Sequence, residues 1–177
     1  IPNSWESLAR TITVINLSGN MLTGSIPASL FQLPLLSELI LADNRLSSTI
    51  PEEIEMSHSK ALKHLDLSFN LLSGTITSFG SYILDVINLS NNNLTGGIPA
   101  IPVSTYRYDV SFNDFDSIRP FFIAWSDRHR LAVLDISENR LSGVLRSFIP
   151  ISTMVWFAAA NNDFSCSLPY MPWAQIQ

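Results

Sequence analysis

Three histidines, His58, His64 and His129, stand in a chain rich in serine and aspartate, so the first chemistry to weigh is acid–base or nucleophilic catalysis. Chance sets of Ser, His and Asp are unavoidable in such a composition. The spacings that would give them meaning are missing: there is no glycine-flanked nucleophile elbow, phosphate loop or His-x-x-x-His metal pair. Asp66, Asp109 and Asp135 would make a carboxylate site if they converged. They recur once per copy of a repeated pattern at a solvent-facing position, which reads as surface solvation. Cys166 is the single cysteine, which excludes an internal disulfide and a multi-cysteine zinc site. It stands where other copies carry glycine or serine and reads as a small buried thiol. Arg128-His129-Arg130 reads as a solvated turn, with Glu52, Glu53 and Glu55 as its acidic counterpart. These residues predict no enzyme, no cofactor and no metal.

Binding is the better supported chemistry, and the repeat itself supplies the positions for it. Seven asparagines, Asn20, Asn44, Asn70, Asn92, Asn113, Asn139 and Asn162, lie 21 to 26 residues apart. Each ends a run of apolar residues: Ile12, Ile15, Leu17 before Asn20; Leu36, Leu39, Leu41 before Asn44; Leu62, Leu65, Leu67 before Asn70. A second apolar run with glycine follows, as in Leu22, Gly24, Ile26, Pro27 and Leu94, Gly96, Ile98, Pro99. The Leu-x-Leu step has a period of two, so two side chains point inward and the one between them faces solvent. The asparagine amide, with donors and acceptors, is suited to pairing the backbone of the neighbouring coil. The Ile-Pro pair is expected to open a second extended segment. One coil cannot bury its leucines alone, so the coils must stack about one continuous core, with parallel strands about 4.8 Å apart.

The segments "LSGNMLTGSIP", "LSFNLLSGTI" and "LSNNNLTGGIP" resemble plant-type leucine-rich repeats, whose consensus is roughly LxxLxLxxNxLxGxIP. That resemblance implies an α/β repeat solenoid: a right-handed superhelix of about seven repeats of ~24 residues. Its parallel β-sheet would lie on the concave face, and its convex face would be mostly irregular or 3-10. One domain, 1–177, is expected, with 1–11 ending a preceding repeat and 12–177 forming the seven. The absence of paired-cysteine caps and of an opening methionine is read as a fragment of a longer solenoid. The fifth copy, around Tyr108, Val110, Asn113 and Phe115, is degenerate. The segment after it is expected to place Phe121, Phe122 and Trp125 on a short helical turn.

In such a fold three rows face the concave side. The first holds His64, Arg107 and Trp156 with Val14, Glu38, Val86 and Val133. The second holds Asp66, Asp109 and Asp135 with Asn16, Ile40, Asn88 and Ala158. The third, just before each anchor asparagine, holds Phe69 and Phe112 with Gly19, Asp43, Asn91, Glu138 and Asn161. Aromatics beside arginine and carboxylates are common in binding hot spots, so His64, Asp66, Phe69, Arg107, Asp109, Phe112, Asp135 and Trp156 are the candidate ligand contacts. Three N-glycosylation sequons begin at Asn16, Asn88 and Asn93.

The formal net charge is −5 over 177 residues, which argues against a nucleic-acid partner. The longest apolar stretch, Met154 to Ala160, is too short to cross a bilayer. The family occurs mainly in ectodomains of receptor-like kinases and receptor-like proteins, and in secreted inhibitors of wall-degrading polygalacturonases. The resemblance therefore implies a non-enzymatic module that binds a protein or peptide on its concave face. It would sit extracellularly or at the cell surface, with a co-receptor or flanking repeats as further partners. A secreted inhibitor of a cell-wall-degrading enzyme is one alternative, and a structural scaffold subunit, intracellular in that case, is another. Ice binding, known among relatives, wants a flat regular array that the irregular ladder does not offer.

Overall fold

A computed structural model describes residues 1–2, 5, 10–56, 61–80, 83–118, 130–143 and 153–165. The expected helical turn at Phe121, Phe122 and Trp125, the cysteine Cys166, and His58 and His129 lie outside the described residues. Each repeat contributes one strand to a seven-stranded parallel sheet: β1 (Val14–Asn16), β3 (Glu38–Ile40), β5 (His64–Asp66), β7 (Val86–Asn88), β9 (Arg107–Asp109), β11 (Val133–Asp135) and β13 (Trp156–Ala158). The register is in step throughout, from Ile15↔Leu39 and Leu39↔Leu65 to Leu134↔Phe157. Strands this short hold because every coil repeats the same inward residue, so neighbours pack at equal height. The sheet lies on the concave face of the solenoid.

A second parallel sheet runs along the flank: β2 (Thr23–Gly24), β4 (Arg45–Thr49), β6 (Leu71–Gly74), β8 (Asn93–Ile98) and β10 (Asp114–Ile118). The pair β12 (Ser142–Gly143) and β14 (Asp163–Phe164) continues the pattern in the last two repeats. This corrects the expectation that Ile-Pro opens the second extended segment. The flanking strand is the Leu-x-Gly stretch before it, and β8 ends at Ile98, immediately ahead of Pro99. Proline has no N–H to add to a ladder, so it stops one. Pro27 instead leads into the 3-10 turn Ala28–Gln32, and a single α-helical turn, Glu53–Met56, follows Pro51.

The core is a stack of apolar ladders. Leu39, Leu65, Ile87 and Leu134 form one rung set; Leu41, Leu67, Leu89 and Ile136 form the next; and all are fully buried. In the fifth repeat Tyr108 takes the leucine position. Its hydroxyl donates to the Pro99 carbonyl at 3.0 Å, and its ring meets Phe79 edge-on with centroids 6.3 Å apart. That hydrogen bond lets a phenol occupy the core, and burial pushes its pKa well above the usual tyrosine value. Over its described residues the degenerate copy therefore keeps the strand register of its neighbours around a repacked core position. Ile1 and Trp5 pack, partly buried, against this core. Among the described residues no helix is long and apolar enough to cross a membrane.

Candidate functional site

The anchor asparagines set the coil on which every exposed side chain rests. Asn70 shows the arrangement: its Nδ2 donates to the carbonyls of Leu67 and Ser68 in its own coil and of Leu41 in the coil before, while its Oδ1 accepts from the Leu46 N–H. Asn44, Asn92, Asn113 and Asn139 repeat the same four bonds. Backbone groups leaving the concave sheet are thereby satisfied in pairs of coils.

The turn from strand to asparagine passes through a left-handed residue in each of the seven repeats. Gly19, Asp43, Phe69, Asn91, Phe112, Glu138 and Asn161 have φ between 52° and 66°. Glycine and asparagine adopt this region readily; phenylalanine adopts it only at a cost of about 1–3 kcal/mol. Phe69 and Phe112 nonetheless stand 57% and 52% exposed, so burial does not offset that strain.

The carboxylates of the second row close the strand ends. Asp66 Oδ1 accepts from the Ser68 N–H at 3.0 Å and Oγ–H at 2.6 Å. Asp109 with Ser111 and Asp135 with Ser137 do the same, as do Asn16 with Ser18 and Asn88 with Ser90. The recurrence of aspartate here is thus a turn requirement in which one oxygen is already engaged; this replaces surface solvation as its explanation. The second oxygens remain for other partners: Asp66 Oδ2 accepts from Asn88 Nδ2 at 3.4 Å, and Asp109 Oδ2 lies 3.6 Å from the Arg107 guanidinium. Burial, above all, raises the Asp109 pKa, with the Asp135 charge adding to it; the two Ser111 hydrogen bonds and Arg107 oppose the shift.

The eight candidate contacts share this one face. His64, Arg107 and Trp156 lie in one row on alternate strands, with Val86 and Val133 between them. Asp66, Asp109 and Asp135 form the row beside it, and Asp109 and Asp135 are direct cross-strand neighbours. Sequence reasoning missed Tyr106 and Val155, which immediately precede β9 and β13 and are 44% and 75% exposed. Their position is the residue just before the first-row member of each copy, so the spacing could have found them. Among the described residues no group of three or more His, Cys, Asp or Glu side chains converges as a metal site. Of the sequons, Asn16 and Asn88 sit in the second row with their carboxamides engaged, whereas Asn93 opens β8 on the flank, exposed.

An all-parallel stack of coils, tied together by asparagines from Asn44 to Asn162 and showing three outward rows on its open sheet, defines a repeat solenoid. Residues 11–33, 35–56, 61–81 and 84–103 match the family described as Leucine Rich Repeat. Receptor-like protein 18 of Arabidopsis thaliana is 30% identical over 180 residues, covering 97% of this chain and 20% of that protein. The Arabidopsis receptor kinase HAESA, solved in complex with the peptide hormone IDA and the co-receptor SERK1, superposes with a TM-score of 0.74 at 27% identity, over 90% of this chain and 27% of that one. A plant ice-binding protein superposes with a TM-score of 0.75 at 26% identity, over 96% of this chain and 55% of its own. The chain belongs to the plant-type leucine-rich repeat family. It spans a fifth of the length of that receptor-like relative.

Proposed function

We propose that this chain is a non-enzymatic recognition module, an extracellular or cell-surface part of a receptor-like protein that binds a peptide or protein on its concave sheet. The observation that carries the reading is the combination, on one rigid face, of Arg107, Trp156 and Phe112 with carboxylates already fixed by their turns. A preorganised surface loses little ordering entropy when it binds, and exposed aromatics with arginine are the residue types that supply most binding energy. The resemblance to HAESA, which was solved with a peptide hormone and a co-receptor, supports a peptide ligand and an extracellular setting. Receptor-like protein 18 supports a receptor-like context.

The test is selection of binders to the 177-residue chain from a displayed peptide library, followed by titration of the selected peptides against variants. The Arg107→Ala/Trp156→Ala double variant is expected to lose about ten-fold or more in affinity, roughly 1.4 kcal/mol, with its melting temperature retained. Met21→Ala, exposed in the turn that leads to the flanking strand β2, is the control and should change nothing. Selected peptides that bind the double variant as tightly as the parent would overturn the concave-face assignment.

A further inference from the structure

The left-handed row carries a spacing that specifies more than a generic ligand. Backbone bonds tie this row from coil to coil: Phe69 N–H donates to the Ser90 carbonyl at 2.9 Å, Asn91 N–H to Ser111 at 3.0 Å, and Phe112 N–H to Ser137 at 3.1 Å. Successive members therefore advance by about one strand spacing, ~4.8 Å. Phe69 and Phe112 are two coils apart, about 9.6 Å, with the small polar Asn91 between them. Asp43 and Glu138 lie one coil further out on either side. Glu138 accepts a short hydrogen bond from Asn161 Nδ2.

A polyproline-II segment rises ~3.1 Å per residue with three residues per turn, so every third side chain returns to the same face after about 9.3 Å. That turn matches two coils of this solenoid to within a few tenths of an ångström. An extended β-strand does not match, because residues three apart point to opposite faces. An α-helix brings side chains back to one face after seven residues, about 10.5 Å, and drifts further off with each turn. Two exposed aromatic rings held in a costly backbone conformation are a docking platform suited to prolines and leucines, and polyproline-II ligands characteristically use aromatic-lined surfaces. The flanking carboxylates fall about one and a half ligand residues beyond each ring, within reach of an arginine.

We infer that the Phe69–Phe112 rim of the concave sheet docks a cationic polyproline-II peptide with apolar side chains three residues apart and a basic residue outside each. This rests on the concave face being the recognition surface, and it adds the conformation, phase and charge of the ligand. It also assigns the strained phenylalanines a role that folding does not give them.

The probes are synthetic proline-rich peptides titrated by fluorescence anisotropy against the full 177-residue chain. One has leucines three apart flanked by arginines; a second has them four apart; a third keeps the phase and replaces arginine by aspartate; a fourth is a helical peptide with leucines seven apart. The first is expected to bind about ten-fold or more tightly than each of the others. The Phe69→Asn/Phe112→Asn double variant should lose that preference while melting no lower than the parent, because Asn91 and Asn161 already occupy the same backbone position. Equal binding of the two leucine spacings, preference for the helical or acidic peptide, no binding, or full binding by the double variant would each overturn the inference. If library-selected peptides still depend on Arg107 and Trp156 in any of those cases, the recognition reading stands and only the polyproline-II assignment falls.

Discussion

Each anchor asparagine from Asn44 to Asn162 is one side chain that holds two coils, whereas Asn20 bonds only within its own. Asn113 donates to the Leu89, Val110 and Ser111 carbonyls at 2.9, 3.2 and 3.1 Å and accepts from the Leu94 N–H at 3.0 Å, all in a buried setting. Asn113→Ala strands backbone groups on both coils at about 1–3 kcal/mol for each that finds no water. A loss of at least about 3 kcal/mol in urea unfolding is the expected result, and Asn113→Asp should not rescue it, since a carboxylate has no N–H to give. Asp109 behaves oppositely. Asp109 has its folded pKa raised above the unfolded value, chiefly by burial. Below the unfolded value the group is neutral in both states and costs nothing; the stability present there is lost as the pH rises through the raised folded value. Asn16 and Asn88 already make the same turn with an amide. Asp109→Asn is therefore expected to melt higher than the parent at pH 7 and level with it near pH 3. A lower melting temperature at pH 7 would mean the charge stabilises the turn by more than its burial costs.

At the scale of elements, the flanking sheet depends on glycine where coils approach closely. Gly96 has φ +77°, and a Cβ there would come 2.9 Å from the Thr75 methyl of the coil before. Gly96→Ala combines left-handed strain with that contact and should cost about 1–3 kcal/mol, read as a lowered urea midpoint with an unchanged slope. Repeat two shows the alternative, since Ser48 holds φ 74° at the corresponding place. The spacing of Leu62, Leu65, Leu67 and Asn70 was enough to read the concave sheet, its register and the inward ladders. A period of two followed by an asparagine leaves one way to bury the leucines once copies stack. The flanking sheet was displaced by a few residues because Ile-Pro looks extended in sequence, whereas the ladder requires N–H groups that only the preceding Leu-x-Gly stretch supplies. The spacing marks the left-handed row, one residue before each anchor asparagine, yet its conformation is hidden in the sequence. Gly19, Asn91 and Asn161 are types that favour it, but Phe69, Phe112 and Glu138 carry no such signature. The candidate contacts were legible as positions; that Asp66, Asp109 and Asp135 first serve their own turns emerges only with the serine two residues on.

Among the described elements each coil touches only its neighbours, and that dictates how damage spreads across the molecule. β11 pairs with β9 and β13 alone, and Leu134 is fully buried between Tyr108 and Phe157. Leu134→Ala removes most of a core side chain and should cost about 2–5 kcal/mol. In a compact domain that loss would weaken every amide that exchanges through global unfolding. In a stack of nearest-neighbour interfaces it lowers the cost of fraying from the nearer end and leaves distant coils coupled to their own neighbours. Hydrogen exchange should then accelerate through β9, β11 and β13 and stay close to the parent rate in β1 and β3. The concave rows of repeats five to seven, with Arg107, Asp135 and Trp156, would loosen while Phe69 kept its place. A uniform acceleration from β1 to β13 would instead mean that the coils unfold as one unit. A ligand bridging Phe69 and Phe112 would in that case stabilise the whole chain rather than the coils it spans.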